Sequence, residues 1–193
     1  MTRALVVYAH PCEESFASAL KGVVVNTLEG RGWNVDLCDL YAEGFDPVMS
    51  AEERRGYHAI PSNTLPVQAH VDRLLAASAL VFVHPVWNFG PPAILKGYYD
   101  RVFVPGISFR LDNGKVKPAM THIRKLGVVT TYGASWLRAT LAGDPPKRLV
   151  TRAFRHAAKP DRLLYMALYD MNRADQPKRA RYLARVEQGM EQF

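Results

Sequence analysis

The sequence predicts an α/β fold: an open parallel sheet of five strands with helices on both faces. Three observations predict it. Five short apolar, β-branched runs recur along the 193 residues, near-continuous rather than alternating, as strands buried on both faces are. Segments with apolar residues at helical spacing separate them. No run approaches the ~18–20 apolar residues of a membrane span, and no repeat or composition shift divides the chain, so residues 1–193 read as one domain.

The elements follow in order. Ala4-Leu-Val-Val-Tyr-Ala9 is the first strand. Ser15 to Leu28 is a helix with Phe16, Leu20, Val23, Val24 and Leu28 at helical spacing, stopped by Gly30 and Gly32. Trp33 to Asp39 is the second strand, and Tyr41 to Pro47 a loop. Ser50-Ala-Glu-Glu53 has the spacing of a capping box and opens a short helix, which the Pro/Ser/Asn-rich stretch Ile60–Pro66 breaks. Val67 to Ala77 is a helix with Val71, Leu74 and Leu75 on one face, and Ala79 to Val83 the third strand. Pro91 and Pro92 start a helix that runs from Ala93 to Val102, because a first turn has no N–H partner to lose. Pro105 to Thr121 is a longer excursion in which Asp112-Asn-Gly marks a small hairpin. Leu126 to Thr131 is the fourth strand, Lys147 to Ala157 a helix, Leu163 to Tyr169 the fifth strand, and Asp175 to the end an amphipathic helix.

Charge is unevenly placed. The chain carries 25 Lys+Arg against 18 Asp+Glu, a net +7, and residues 145–193 hold eleven of the basic and five of the acidic residues. Without a zinc finger, RNP motif or helix-turn-helix signature, no nucleic-acid partner is expected. The basic quarter reads as a solvated helical face, or as a rim that attracts a phosphorylated cofactor. The first residues show no secretory signal, so a cytoplasmic location is expected, with Cys12 and Cys38 unpaired. Neither cysteine belongs to a CxxC or has a paired His nearby, so no metal site is expected.

In open α/β sheets ligands bind beyond the carboxyl ends of the strands, where strand order reverses. The simplest order for five strands is 2-1-3-4-5, with its crevice beyond strands 1 and 3. The unusual sequence follows strands 1, 3 and 4. His10-Pro-Cys-Glu-Glu-Ser-Phe-Ala-Ser18 lacks a GxGxxG, but its hydroxyls (Ser15, Ser18) and free helix N–H groups make an anion site. His84-Pro-Val-Trp-Asn-Phe-Gly-Pro-Pro92 is a stiff loop whose aromatics could stack on a flat ring or pack on the helix behind. Thr130-Thr-Tyr-Gly-Ala-Ser-Trp136 brings hydroxyls and two more aromatics. A phosphate cradle beside aromatic loops suits a flavin mononucleotide moiety. His84, ahead of Pro85 at a strand end, reads as a hydrogen-bonded structural residue.

These residues resemble the flavodoxin-like NAD(P)H:quinone oxidoreductase family from the first strand to about Trp136. Pro91-Pro-Ala-Ile-Leu-Lys-Gly-Tyr-Tyr-Asp-Arg-Val-Phe103 looks like the family's PAILKGxxxRVF helix. His10-Pro with Ser15-Phe16-Ala17 looks like its first loop, and Thr130-Thr131 with Gly133 like its TTGG turn. The resemblance implies a three-layer sandwich, a homodimer and a flavin (FAD, with FMN as the alternative). It implies hydride transfer from NAD(P)H to a quinone-like acceptor in alternation. His10, Ser15, Phe16, Ala17 and Ser18 would hold the phosphate end. Pro85, Val86, Trp87, Asn88 and Phe89 would lie along the ring, and Thr130, Thr131, Tyr132 and Gly133 would approach its pyrimidine side. Trp87, Phe89, Tyr132 and Trp136 are the expected walls of the substrate pocket. Tyr132 stands where the family has Gly. The positions after this turn where the family has a Tyr and a His fall on Arg138 and Asp144, so no side chain is assigned a catalytic role. In the family the Pro91 helix helps build the dimer, which makes Lys96, Tyr98, Tyr99 and Arg101 structural. Three other readings remain: an electron carrier, disfavoured by a pI near 9.5; an FMN-dependent azoreductase; and a non-catalytic partner of a potassium-efflux system, docked through the basic quarter.

Overall fold

In the computed structural model, which describes residues 2–193, the first apolar run becomes β1 (Arg3–Tyr8), and Ser15 caps α1 (Phe16–Gly30) by accepting the Ser18 N–H. Then follow β2 (Asn34–Asp39), α2 (Ala51–Arg55), a 3₁₀ turn at Ser62–Val67, α3 (Gln68–Ala76), β3 (Ala79–Val86) and α4 (Ala93–Val102). The hairpin expected in the excursion is β4 (Phe109–Asp112) and β5 (Lys115–Pro118), turned by Asn113 and Gly114 at φ 50° and 74°. β6 (Lys125–Tyr132), α5 (Trp136–Leu141) and α6 (Pro145–Arg148) come next. A π-helical segment at Leu149–Phe154, α7 (Arg155–Ala158), β7 (Arg162–Leu168) and α8 (Gln176–Glu191) complete the chain.

The five long strands are parallel in the order β2-β1-β3-β6-β7, the 2-1-3-4-5 arrangement of the flavodoxin-like sandwich. Strand side chains alternate between two cores. On one face Ala4, Val6, Val81, Val83 and Val129 pack against Leu20, Val24 and Leu28 of α1 and Tyr182, Val186 and Met190 of α8. On the other, Leu5, Val7, Leu80, Phe82, Leu126 and Val128 pack against Val71, Leu74, Leu95, Val102, Val150 and Phe154. Arg179, Arg181 and Arg185 lie on the solvated face of α8. Among the described residues no helix is long and apolar enough to cross a membrane.

Three elements depart from the sequence reading. β3 runs past Val83 to Val86, so His84, Pro85 and Val86 belong to the strand and not to the loop. Proline is tolerated there because β1 has left the sheet: Tyr8 is the last β1 residue in register, opposite Val83, and beyond it β3 has a free edge. β6 extends to Tyr132, and the short helix α5 begins at Trp136. The helix expected at Lys147–Ala157 starts two residues earlier and is interrupted by the π turn, for which no spacing rule exists.

α4 is tied to α2 by Arg101. Its guanidinium donates to Glu53 (Nε–Oε1 2.8 Å) and to the Asp46 carbonyl, while Ser50 completes the expected capping box. Arg101 is buried and Glu53 nearly so. Arg101→Met is expected to cost about 3 kcal/mol, the lower end for breaking a buried pair, read by urea unfolding. Burial alone would raise the Glu53 carboxyl, but the Ser50 N–H and Arg101 outweigh it and hold it below the usual glutamate range. Its stabilising contribution is therefore present above that range and lost as pH falls through the lowered folded value. The variant should lose Arg101's share of this acid-side dependence and keep the share that the Ser50 N–H supplies.

Candidate active site

β1, β3 and β6 end side by side, at the sheet edge where the strand order predicts the crevice. β1 exits into the His10 loop, and Cys12 N–H donates to His10 Nδ1 (3.0 Å). The His10 ring lies edge-on to Trp87 at 5.7 Å, so the first and third loops meet as expected. At the mouth of α1 the Ser15 hydroxyl accepts the Ser18 N–H (3.2 Å) and the Ser15 N–H goes to Cys12 O. The Phe16 and Ala17 N–H groups have no acceptor within the helix, since the first turn offers none. The Tyr8 hydroxyl is buried near Ser15 and Ser18 and, among the described residues, has no hydrogen-bond partner of ordinary geometry. An uncompensated buried hydroxyl costs roughly 1–3 kcal/mol, which an anion at this turn would offset.

The third loop is a tight reversal. Trp87 and Gly90 exchange two backbone hydrogen bonds of 2.9 Å, and Asn88 and Phe89 between them sit at φ 48° and 57°. Left-handed backbone costs a residue with a Cβ roughly 1–2 kcal/mol, and for Phe89 no glycine relieves it. Strain of this kind is concentrated at binding sites. Trp87 is 42% exposed, Phe89 41% and Trp136 59%, so each keeps a large part of its ring open to a ligand.

The fourth loop is partly inverted from expectation. Thr130, Thr131 and Tyr132 are strand residues and buried. Tyr132, expected as a pocket wall, is 1% exposed; it is anchored beneath the crevice. Its hydroxyl donates to Asp144 Oδ1 (2.7 Å) and shares a 2.6 Å bond with Tyr165, and its ring lies 4.6 Å from Tyr169. Burial pushes the Tyr132 and Tyr165 phenols well above the ordinary range and Tyr169 up to about 12, so all three stay protonated. Thr130 Oγ1 is a second buried hydroxyl without a partner. His84, in register with Thr130, donates from Nδ1 to the Pro85 carbonyl (2.8 Å), and burial lowers its pKa to about 4. It is neutral at physiological pH, in keeping with a structural role.

Two features were not read from the sequence. Beyond β6 and β7, Gly133, Ser135, Arg138, Asp170, Asn172 and Arg173 line a polar cavity of about 280 Å³. Phe89, Gly90 and Pro91 form one wall of a second cavity of about 540 Å³, closed by Pro145, Pro146 and Arg148. The adjacency of the β6 and β7 exits could have signalled the first.

The flavodoxin-like fold model matches residues 2–190. The chain belongs to this flavodoxin-like family. An uncharacterised NAD(P)H oxidoreductase of Haemophilus influenzae is 36% identical over 114 residues, covering 58% of this chain and 55% of that protein. NAD(P)H dehydrogenase (quinone) 1 of Cavia porcellus is 34% identical over 150 residues, covering 69% and 54%. The chain thus spans about half the length of these curated relatives. The crystal structure of Smu.1420 from Streptococcus mutans superposes with a TM-score of 0.87 at 26% identity, over 100% of both chains.

Proposed function

We propose that residues 1–193 form a single flavin-binding domain that passes hydride from NAD(P)H to a quinone or similar small acceptor. The observation that carries this reading is the strained Asn88-Phe89 reversal, which presents Trp87 and Phe89 to solvent beside an open helix N-terminus with an unsatisfied buried hydroxyl. The residues present fit a flavin. His10, Ser15, Phe16, Ala17 and Ser18 would hold its phosphate end, Pro85 to Phe89 would lie along the ring, and Gly133 would face the pyrimidine, with the buried Thr130 and Thr131 behind it. When bound, the flavin (FAD, with FMN as the alternative) supplies the hydride-accepting centre.

The protein's own part is position and water exclusion. Trp87, Phe89 and Trp136 form walls against which flat donors and acceptors stack in turn. Tyr132, locked by Asp144 and Tyr165, supports the floor. No side chain acts as nucleophile. A homodimer belongs to the same reading. The apolar groove of about 720 Å³ along α4, lined by Tyr99, Phe103, Phe109 and Leu149, is the surface a second protomer would cover.

Steady-state rates with flavin-loaded protein test the proposal. Varying NAD(P)H at several quinone concentrations should give parallel double-reciprocal lines, since one site serves both. No NAD(P)H oxidation with quinones or azo dyes would overturn it. Phe89→Gly probes the strain. Glycine removes the left-handed penalty but adds unfolded-state entropy of about 0.5–1 kcal/mol, so stability should change by less than ~1 kcal/mol. Loss of the ring should weaken flavin binding about tenfold, the worth of one good aromatic contact. A thermal melt and a flavin titration read the two effects separately.

A further inference from the structure

On the face of the sheet opposite α1, three side chains from three elements converge. Cys38 of β2, Glu43 of the loop after it and His70 of α3 place Sγ, Oε2 and Nδ1 at the corners of a triangle. Its edges are 3.7 Å (Cys38–Glu43), 3.6 Å (Cys38–His70) and 4.0 Å (His70–Glu43). Tetrahedral zinc, with bonds of about 2.3 Å to sulfur and 2.0–2.2 Å to nitrogen and oxygen, sets such atoms roughly 3.3–3.7 Å apart. Only the His70–Glu43 edge must close, by a few tenths of an ångström.

The surroundings are those of a held site. The His70 ring stands edge-on between Phe45 (4.9 Å) and Tyr98 (5.8 Å), which fixes its plane. Arg73 grips both Glu43 oxygens (2.9 and 2.7 Å) and is itself bonded to Asp36. The guanidinium therefore orients the carboxylate, as outer partners of metal ligands do, and its charge is shared with Asp36. Cys38 is fully buried, while the Glu43 side chain is 33% exposed, so a cation can enter from the Glu43 side.

We infer that Cys38, Glu43 and His70 form a binding site for a divalent cation of the zinc class, with solvent water as the fourth ligand. On binding, the Cys38 thiol gives its proton to solvent and the thiolate sulfur donates the coordinate bond. Spacing along the chain conceals the site, because its ligands lie five and thirty-two positions from Cys38 on separate elements. The inference is independent of the flavin reading.

Cobalt(II) titrated into the reduced, chelator-treated full chain is the test, followed as a difference spectrum so that any bound flavin cancels. One equivalent should produce a sulfur-to-cobalt charge-transfer band with the visible bands of four-coordination, and Zn²⁺ should displace it. Cys38→Ser should abolish the charge-transfer band and Cys12→Ser should retain it. Because Cys38 is buried, the more accessible Glu43→Gln gives a second readout: affinity at least ~tenfold weaker, with an unchanged far-ultraviolet circular dichroism spectrum. Absence of the sulfur band in the wild type, or its survival in Cys38→Ser, overturns the inference.

Discussion

Ser18→Asp is expected to weaken flavin binding about a hundredfold while leaving the fold as stable or slightly more so. Ser18 is the third residue of α1, its N–H held by Ser15 Oγ. The first turn contains no acidic residue, and an acid placed there favours the helix dipole by roughly 0.3–1 kcal/mol. The same charge would face the phosphate proposed for this turn. Juxtaposed like charges cost several kcal/mol, and about 2.8 kcal/mol is a hundredfold. Fluorescence titration with FMN and FAD gives the affinity, a thermal melt the stability, and Ser18→Asn serves as the uncharged control. An affinity within twofold of wild type would remove the phosphate from this helix end.

Gly97→Ala is expected to destabilise by about 3 kcal/mol, although alanine is the better helix former by ~0.8–1 kcal/mol. Gly97 lies in α4 against the loop before α2, and a Cβ there would land on the Pro47 backbone and ring. Backbone cannot swing aside as a side chain can, so the upper part of the ~1–3 kcal/mol overpacking range applies. For a chain of this size that is roughly 6–12 °C in Tm. Gly22, in the middle of α1, has nothing within 4 Å of its Cβ position, so Gly22→Ala should stabilise by up to ~1 kcal/mol. Melting the two variants side by side should give shifts of opposite sign.

The strands were legible because buried parallel strands are near-continuous apolar runs, and their order followed from their number. The first and third loops were legible as well. A Ser at a helix cap and two aromatics between prolines are local signals, and the 5.7 Å approach of His10 to Trp87 joins them. Long-range polar chemistry was not legible. Tyr132 read as a pocket wall because it follows a strand ending in Thr-Thr. What buries it is Asp144, in an αL turn, together with Tyr165 from the neighbouring strand. Cys38, Glu43 and His70 likewise meet only once α3 has packed beside β2. The strain at Phe89 left no mark in the sequence, since nothing in Trp-Asn-Phe-Gly requires the second turn position to be Phe.

Flavin uptake by the purified full chain decides whether this domain is a flavoprotein. The absorption spectrum is recorded after reconstitution with FAD and, separately, with FMN, and again after anaerobic addition of NAD(P)H. One bound flavin per chain is expected, bleached in a single two-electron step, and the flavin bound more tightly is the cofactor. A folded protein that remains colourless with both flavins would contradict it.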